Sequence, residues 1–199
     1  TCNGGAGAQY SFDELNDEGG TLSVTPTSNS PICEGDLLNL YSNPSGTGSS
    51  SASFLWTGPN GYTSTSQDPV ISNLTQGNYS YTITISDSGG NTNTKTLSIS
   101  VLPTPVITST TPGFRNGPGT VVLGASASSG ILNWYVNPSG GSSLGAGTSF
   151  TTPTISTSTS FYVEASENGC ISGRVAVLAT VNTSTVITNR KITYRIKKN

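Results

Sequence analysis

Histidine is missing altogether from the 199 residues. That absence removes the Ser-His and Cys-His nucleophile systems and the commonest nitrogen ligand for metals. Methionine is also missing. With no initiator and no visible signal peptide, the chain reads as a mature, processed protein or a fragment of one. Charge is scarce: 9% of residues are charged, against roughly 25% in an average soluble protein. The net charge of −2 and the pI of about 4.9 give no basic footprint for nucleic acid. No apolar run approaches the ~18 residues of a membrane span.

Ser, Thr, Asn and Gly take the place of the charges. Among them Val, Ile, Leu and the aromatics recur in short, evenly spaced clusters, the pattern of many short strands separated by turns. In "NYSYTITIS", Tyr79, Tyr81, Ile83 and Ile85 point one way, and Ser80, Thr82, Thr84 and Ser86 the other. This is a half-buried antiparallel strand with a hydroxyl-bearing outer face. "TKTLSISV" alternates likewise, with Leu97, Ile99 and Val101 inward, and Phe161, Val163 and Ala165 mark one face of "TSFYVEAS". No segment carries a helical stripe of useful length. Only "SFDELNDEGG" suits a turn of helix, with Ser11 as its cap and Gly19 as its stop.

The chain repeats one plan. "PICEGDLLNLYSN", "ASFLWTGPNG", "NYSYTITISDSGGNT" and "KTLSISV" in the first half match "FRNGPGTVVLGASASSG", "ILNWYVNPSGG", "TSFYVEASENGC" and "RVAVLATV" in the second. From Trp56 to Asn91 is 35 residues, and from Trp134 to the equivalent Cys170 is 36. The expectation is an all-β protein of two tandem immunoglobulin-like sandwiches, residues 21–102 and 103–182. An acidic N-terminal segment (1–20) and a basic C-terminal strand (183–199) flank them. The prolines of "LPTPV" stiffen the link between the halves. Trp56 and Trp134 sit mid-strand and read as core pins, together with Tyr79. The competing reading is a sugar-stacking platform, for which Tyr62 and Tyr135, at strand ends, are the better candidates.

"CEGDLLNL", "FLWTGPNGYTSTSQDPVISN" and "GNYSYTITISDSGGN" resemble the Ig-like and PKD-like repeats of large secreted and cell-surface proteins of Bacteroidota. The stretch from "GPGTVVLGASASSG" to "SFYVEASENGC" is similar to a second Ig-like family of that group, common in gliding-type adhesins. Together the resemblances cover about 150 of the 199 residues. They imply secretion and a spacer, stalk or adhesive role, and they name no ligand. In such repeats an early Cys commonly pairs with a Cys in a late "NGC" turn. Here the first half keeps Cys33 but has Asn91 at the late turn, and the second keeps Cys170 but has Asn116 at the early position. Cys2 is the third thiol. The preferred pairing is Cys2–Cys33, leaving Cys170 as an unpaired or interchain thiol. A bond from Cys2 or Cys170 to a neighbouring subunit, or three free thiols, are the alternatives.

Catalytic and metal-binding groups are few. Glu164 and Glu167 are the closest carboxylate pair, but on a strand their offset puts them on opposite faces, against joint action in glycoside hydrolysis. Asp13, Asn16, Asp17 and Glu18 offer oxygens at calcium-like spacing but lack the EF-hand order, so a solvated acidic turn is the plainer reading and a calcium site the alternative. The glycine clusters lack the Lys-Ser/Thr of a phosphate loop and read as turn punctuation. The N-x-S/T triplets at Asn73, Asn78 and Asn182 are taken as idle. No cofactor, no metal and no enzymatic activity are expected.

The ends carry the sharpest expectation. In the last residues Ile192, Tyr194 and Ile196 alternate with Lys191, Thr193, Arg195 and Lys197, a strand with no place in a sandwich already complete near Val181. Arg190, Lys191, Arg195, Lys197 and Lys198 are five of the eight basic residues. Asp13, Glu14, Asp17 and Glu18 are four of the ten acids. The tail then adds an edge strand to its own sheet, guarded by its lysines, or adds to a sheet of the next molecule to build a fibre. A sorting or attachment signal is the third option. The partners expected are the chain itself, other surface components, or glycans, with no nucleic acid and no membrane span.

Overall fold

The computed structural model describes residues 21–46 and 48–183. The acidic segment and, apart from Thr183, the basic C-terminal segment therefore lie outside the described residues. With them lie Asp13, Glu14, Asp17, Glu18, Arg190, Lys191, Ile192, Tyr194, Arg195 and Ile196, and the turn of helix expected after Ser11. Two compact units divide between Leu102 and Pro103.

The first unit contains β1 (Ser23–Val24), β2 (Thr27–Ser28), β3 (Ile32–Cys33), β4 (Leu38–Tyr41), β5 (Pro44–Ser45), β6 (Ser53–Thr57), β7 (Thr63–Ser64), β8 (Val70–Ile71), β9 (Gly77–Ser86) and β10 (Thr92–Leu102). They form a sheet of order β3-β10-β9-β6-β7, a facing sheet β2-β4-β8, and the pair β1-β5. The second unit contains β11 (Ile107–Thr111), β12 (Gly113–Asn116), β13 (Val122–Ala127), β14 (Ile131–Tyr135), β15 (Gly145–Ala146), β16 (Ser149–Thr151), β17 (Thr159–Glu167), β18 (Cys170–Ile171) and β19 (Val175–Asn182). Its sheets are β12-β19-β17-β14-β15, with β18 also on β17, and β11-β13-β16. Apart from the pair β1-β5 in the first unit and β18 in the second, the two orders agree strand for strand. In both, a short early strand runs parallel to the last one: β3 beside β10 and β12 beside β19. Each unit is thus an immunoglobulin-like sandwich.

The period-2 pattern explains the layers. β9 and β10 pair over ten positions, from Ser86↔Thr92 to Gly77↔Val101. Tyr81, Ile83, Ile85, Ile99 and Val101 are buried. On the outer face the hydroxyls of Thr82 and Thr96 meet at 3.0 Å, as do those of Thr84 and Thr94. In the turn between these strands Asp87 accepts the backbone N–H of Asn91 at 2.9 Å and its side-chain N–H at 2.8 Å. These bonds, that from the Asn91 side chain foremost, hold the Asp87 carboxyl below the usual carboxylate range. The second unit turns instead through Asn168 and Gly169, with φ of 50° and 88°, the left-handed pair that a two-residue hairpin requires.

Both indoles are fully buried. Trp56 lies opposite Ile83 and donates its Nε1–H to the Gln67 carbonyl at 3.1 Å. Trp134 lies opposite Val163 and donates to the Gly147 carbonyl at 2.9 Å. Phe150 stacks on Trp134 with centroids 5.2 Å apart and meets Phe161 at 5.6 Å. Tyr79 differs from its expected role. It is half-buried against the core, and its hydroxyl donates to the Thr75 carbonyl at 2.8 Å, tying the strand to the turn before it as a tyrosine corner does. The fully inward ring is Tyr81, 2% exposed, held edge-on by Tyr62 at 5.5 Å. In the second unit the position of Tyr79 is Thr159, which has no ring to repeat this tie.

Where the chain passes from β11 in one sheet to β12 in the other, it crosses close to β13. A Cβ on Gly113 would overlap the Val122 carbonyl oxygen. Backbone cannot yield as a flexible side chain can, so only glycine fits there.

Replacing Trp134 by Phe leaves a void beside Phe150 and a half-buried Gly147 carbonyl without its donor. We expect a loss of about 2–3 kcal/mol in urea unfolding. Trp56→Phe should cost a similar amount through Gln67.

Candidate functional site

The densest polar constellation in the described residues lies on the outer face of the β17–β14 sheet. Tyr135 ends β14 and Glu164 stands on β17. Arg174 directly precedes β19, at an irregularity: Ser166 faces Ile171 but Val163 faces Val175, so one extra residue is accommodated between them. The Ser172 hydroxyl fills this bulge by accepting the Ala165 N–H at 2.9 Å. Arg174 is thereby aimed back across the sheet. Its Nε bonds Glu164 Oε2 at 2.8 Å, with the side chains only 11% and 13% exposed. Its guanidinium lies 3.4 Å from the Tyr135 ring centroid. Its Nη1 donates to the carbonyls of Asn137 at 2.9 Å and Gly140 at 2.7 Å. The Tyr135 hydroxyl donates to Glu164 Oε1 at 2.6 Å.

Each charge here is satisfied by a group of the protein itself. The acceptance of its proton by Glu164, more than burial, raises the Tyr135 phenol above its ordinary value. Arg174 pins the β14–β15 loop while covering one face of the tyrosine. The cluster is a clasp.

The expected sugar platforms are engaged. Tyr135 is 9% exposed with the guanidinium over its ring, and Tyr62 is half-buried against Tyr81. Glu164 is spent on Tyr135 and Arg174, and Glu167 stands opposite Cys170. Among the described residues no group of three Cys, Asp or Glu could hold a metal ion, and no helix is long and apolar enough to cross a membrane. Asn73 holds a φ of 60°. Asn78 is exposed, and Asn182 donates to Asn116 Oδ1 at 3.2 Å.

The cysteines require a correction. Cys33 and Cys170 are both disulfide-bonded, so Cys170 is not an unpaired thiol. Its side chain is fully buried, inward of the tight turn that β17 and β18 form. Cys2, the partner expected for Cys33, lies outside the described residues.

Other charges hold loops. Asp36 accepts the Cys33 N–H at 3.3 Å, and Asp68 accepts the Ser42 N–H at 2.9 Å. Arg115 donates to the carbonyls of Gly117 at 3.0 Å and Thr120 at 3.1 Å. The exposed apolar surface is more telling. Phe114 on β12 is 76% exposed and Leu178 on β19 is 47% exposed. Phe114 faces Thr180 in register, so the two apolar side chains sit diagonally on one outer face. Reading the sequence picked out neither Arg174 nor Phe114. The scarcity of basic residues before residue 190 was the available signal for Arg174, and Phe114 had none.

Residues 103–182 match the family described as Ig-like domain, CHU_C associated. Among solved structures, the fibronectin(III)-like modules of CbhA from Clostridium thermocellum are similar at 14% identity, covering 85% of this chain and 100% of that one, with a TM-score of 0.42. The PKD1 domain of the Vibrio cholerae metalloprotease PrtV is 27% identical over 41% of this chain and 96% of its own, with a TM-score of 0.34. The insect immune protein hemolin is 12% identical, over 86% of this chain and 49% of its own, with a TM-score of 0.44. No curated protein matches the chain.

Two measurements probe the clasp. Arg174→Ala leaves the Glu164 carboxylate nearly buried without its cation, and should cost about 3 kcal/mol in urea unfolding. Arg174→Lys keeps the charge but loses the fork, and should recover only part of it. For Tyr135 the neutral phenol is the form the fold favours. Its stabilisation is complete below the ordinary tyrosine pKa of about 10 and is lost as pH rises through the elevated folded value. Ultraviolet titration should show a late-ionising phenol that Tyr135→Phe removes.

Proposed function

We propose that the chain is a non-catalytic extracellular module of structural or adhesive kind, whose copies couple by strand addition through the C-terminal segment. Ile192, Tyr194 and Ile196 would form the buried face of the added strand, and Arg190, Lys191 and Arg195 its charged face. The acidic Asp13, Glu14, Asp17 and Glu18 of a neighbouring copy would steer the approach. The observation that carries this reading is how the described charges are spent. Asp36, Asp68, Asp87, Glu164, Arg115 and Arg174 all fasten loops or one another. No reactive group is left converging on an open cavity among the described residues, so the apolar surface and the chain ends carry the recognition chemistry. Oxidised Cys33 and Cys170 support a compartment outside the reducing cytosol.

The test is to compare the 199-residue chain with a variant lacking residues 186–199, by sedimentation and electron microscopy. Concentration-dependent assemblies from the first and monomers from the second are the expected result. A chain that stays monomeric at high concentration, or a truncation that still assembles, overturns the proposal. Binding on a glycan array with no self-assembly would favour a carbohydrate partner instead.

A further inference from the structure

We infer that the acceptor for this strand is the outer edge of β12, where Phe114 and Leu178 receive the C-terminal segment of a second copy. The inference rests on the reading just proposed and adds its docking surface. Four observations lead to it.

First, β12 closes its sheet on one side only. It pairs with β19, and no described strand pairs its other edge. The Gly117 N–H is taken by the Asn182 carbonyl at 3.0 Å. By the alternation of a strand, the N–H and C=O of Phe114 and Asn116 point away from β19, toward the open edge.

Second, that edge has no charged guard of the kind natural sheets use. The comparable edge in the first unit is β10 beyond its two-residue pairing with β3. There Lys95 is exposed on the strand and discourages pairing. On β12 the outward residue is Phe114, 76% exposed, with Leu178 beside it. Arg115, the one charge on the strand, is held by the Gly117 and Thr120 carbonyls.

Third, the tail is of matching kind. An added strand presents alternate side chains to one face, so Ile192, Tyr194 and Ile196 would lie together against Phe114 and Leu178, leaving the lysines and arginines on the other face.

Fourth, the chain's own tail is poorly suited to reach this edge. β12 and β19 run parallel and end together, at Asn116 and Asn182. A tail coming alongside β12 in its own molecule would have to reverse direction soon after Asn182. Yet residues 183–199 contain neither Gly nor Pro and are rich in Thr, Ile and Val. Such residues favour continued extension over a tight turn. On this composition the segment suits the open edge of a second copy better than a return along its own.

Phe114→Ser in the 199-residue chain is the deciding variant, followed by sedimentation over a concentration series. Because Phe114 is mostly solvent-exposed, urea unfolding should be unchanged, which separates docking from folding. Val70→Ser, at another exposed aliphatic on the first unit, is the control. The expected result is self-association weakened about tenfold or more by Phe114→Ser and unchanged by Val70→Ser. If the parent chain assembles, the truncation abolishes it, and Phe114→Ser assembles as well as the parent, the tail docks elsewhere. The inference then fails while the proposed coupling stands. A parent chain that remains monomeric overturns both.

Discussion

Each sandwich is organised around one indole whose N–H is captured by a backbone carbonyl. A buried Trp is useful only if its single donor finds an acceptor inside. Trp56 finds it at Gln67 and Trp134 at Gly147, both in the connection that follows the tryptophan's own strand. One contact thus fills the centre of the core and fixes the path of the chain that wraps over it. In units where few other side chains are large, this positions the surrounding strands. β9 and β17 cross directly opposite the indoles, and the last strands β10 and β19 follow from them. The clasp of the second unit and the exposed edge of β12 depend on where those strands lie.

The layers were legible because alternation is a local property. Tyr81, Ile83 and Ile85 declare their shared face without reference to any other part of the chain, and so do Ile99 and Val101. The repeated plan was legible because the two tryptophans keep their distance from the late turn. What escaped was whatever depends on register between strands. The role of Tyr79 turned on a bond to Thr75, across a corner that periodicity does not describe. Arg174 reaches Tyr135 and Glu164 only because one extra residue sits between β18 and β19, and a pattern of alternating residues does not announce a bulge. Phe114 carries no signal in the sequence, because its exposure depends on its strand lying at a sheet edge with that side chain turned outward. Cys170 stood in the sequence as an unpaired or interchain thiol, and its disulfide-bonded state decides between those two in a way that spacing alone does not.

The two units share strand order but stabilise corresponding places by different chemistry. The late turn of the first is held by the Asp87 carboxylate on Asn91, while that of the second uses a left-handed Asn-Gly pair. A tyrosine corner secures the first unit near Thr75. The second lacks that ring at Thr159 and has the cation, carboxylate and phenol of its clasp on the neighbouring face. Common topology therefore fixes which positions face inward, and leaves the fastening of loops to whichever residues happen to be available.

The paired threonine hydroxyls on the outer face of β9 and β10 bear on the setting in which such a protein can work. Contacts between neutral hydroxyls are not weakened by dissolved ions in the way exposed ion pairs are. A surface knit from Thr82 with Thr96 and Thr84 with Thr94 presents the same hydrogen-bonding pattern in dilute and in saline water. With so little charge to be screened, the sandwiches can keep their shape through swings of salinity that would loosen a protein held together by exposed lysines and glutamates.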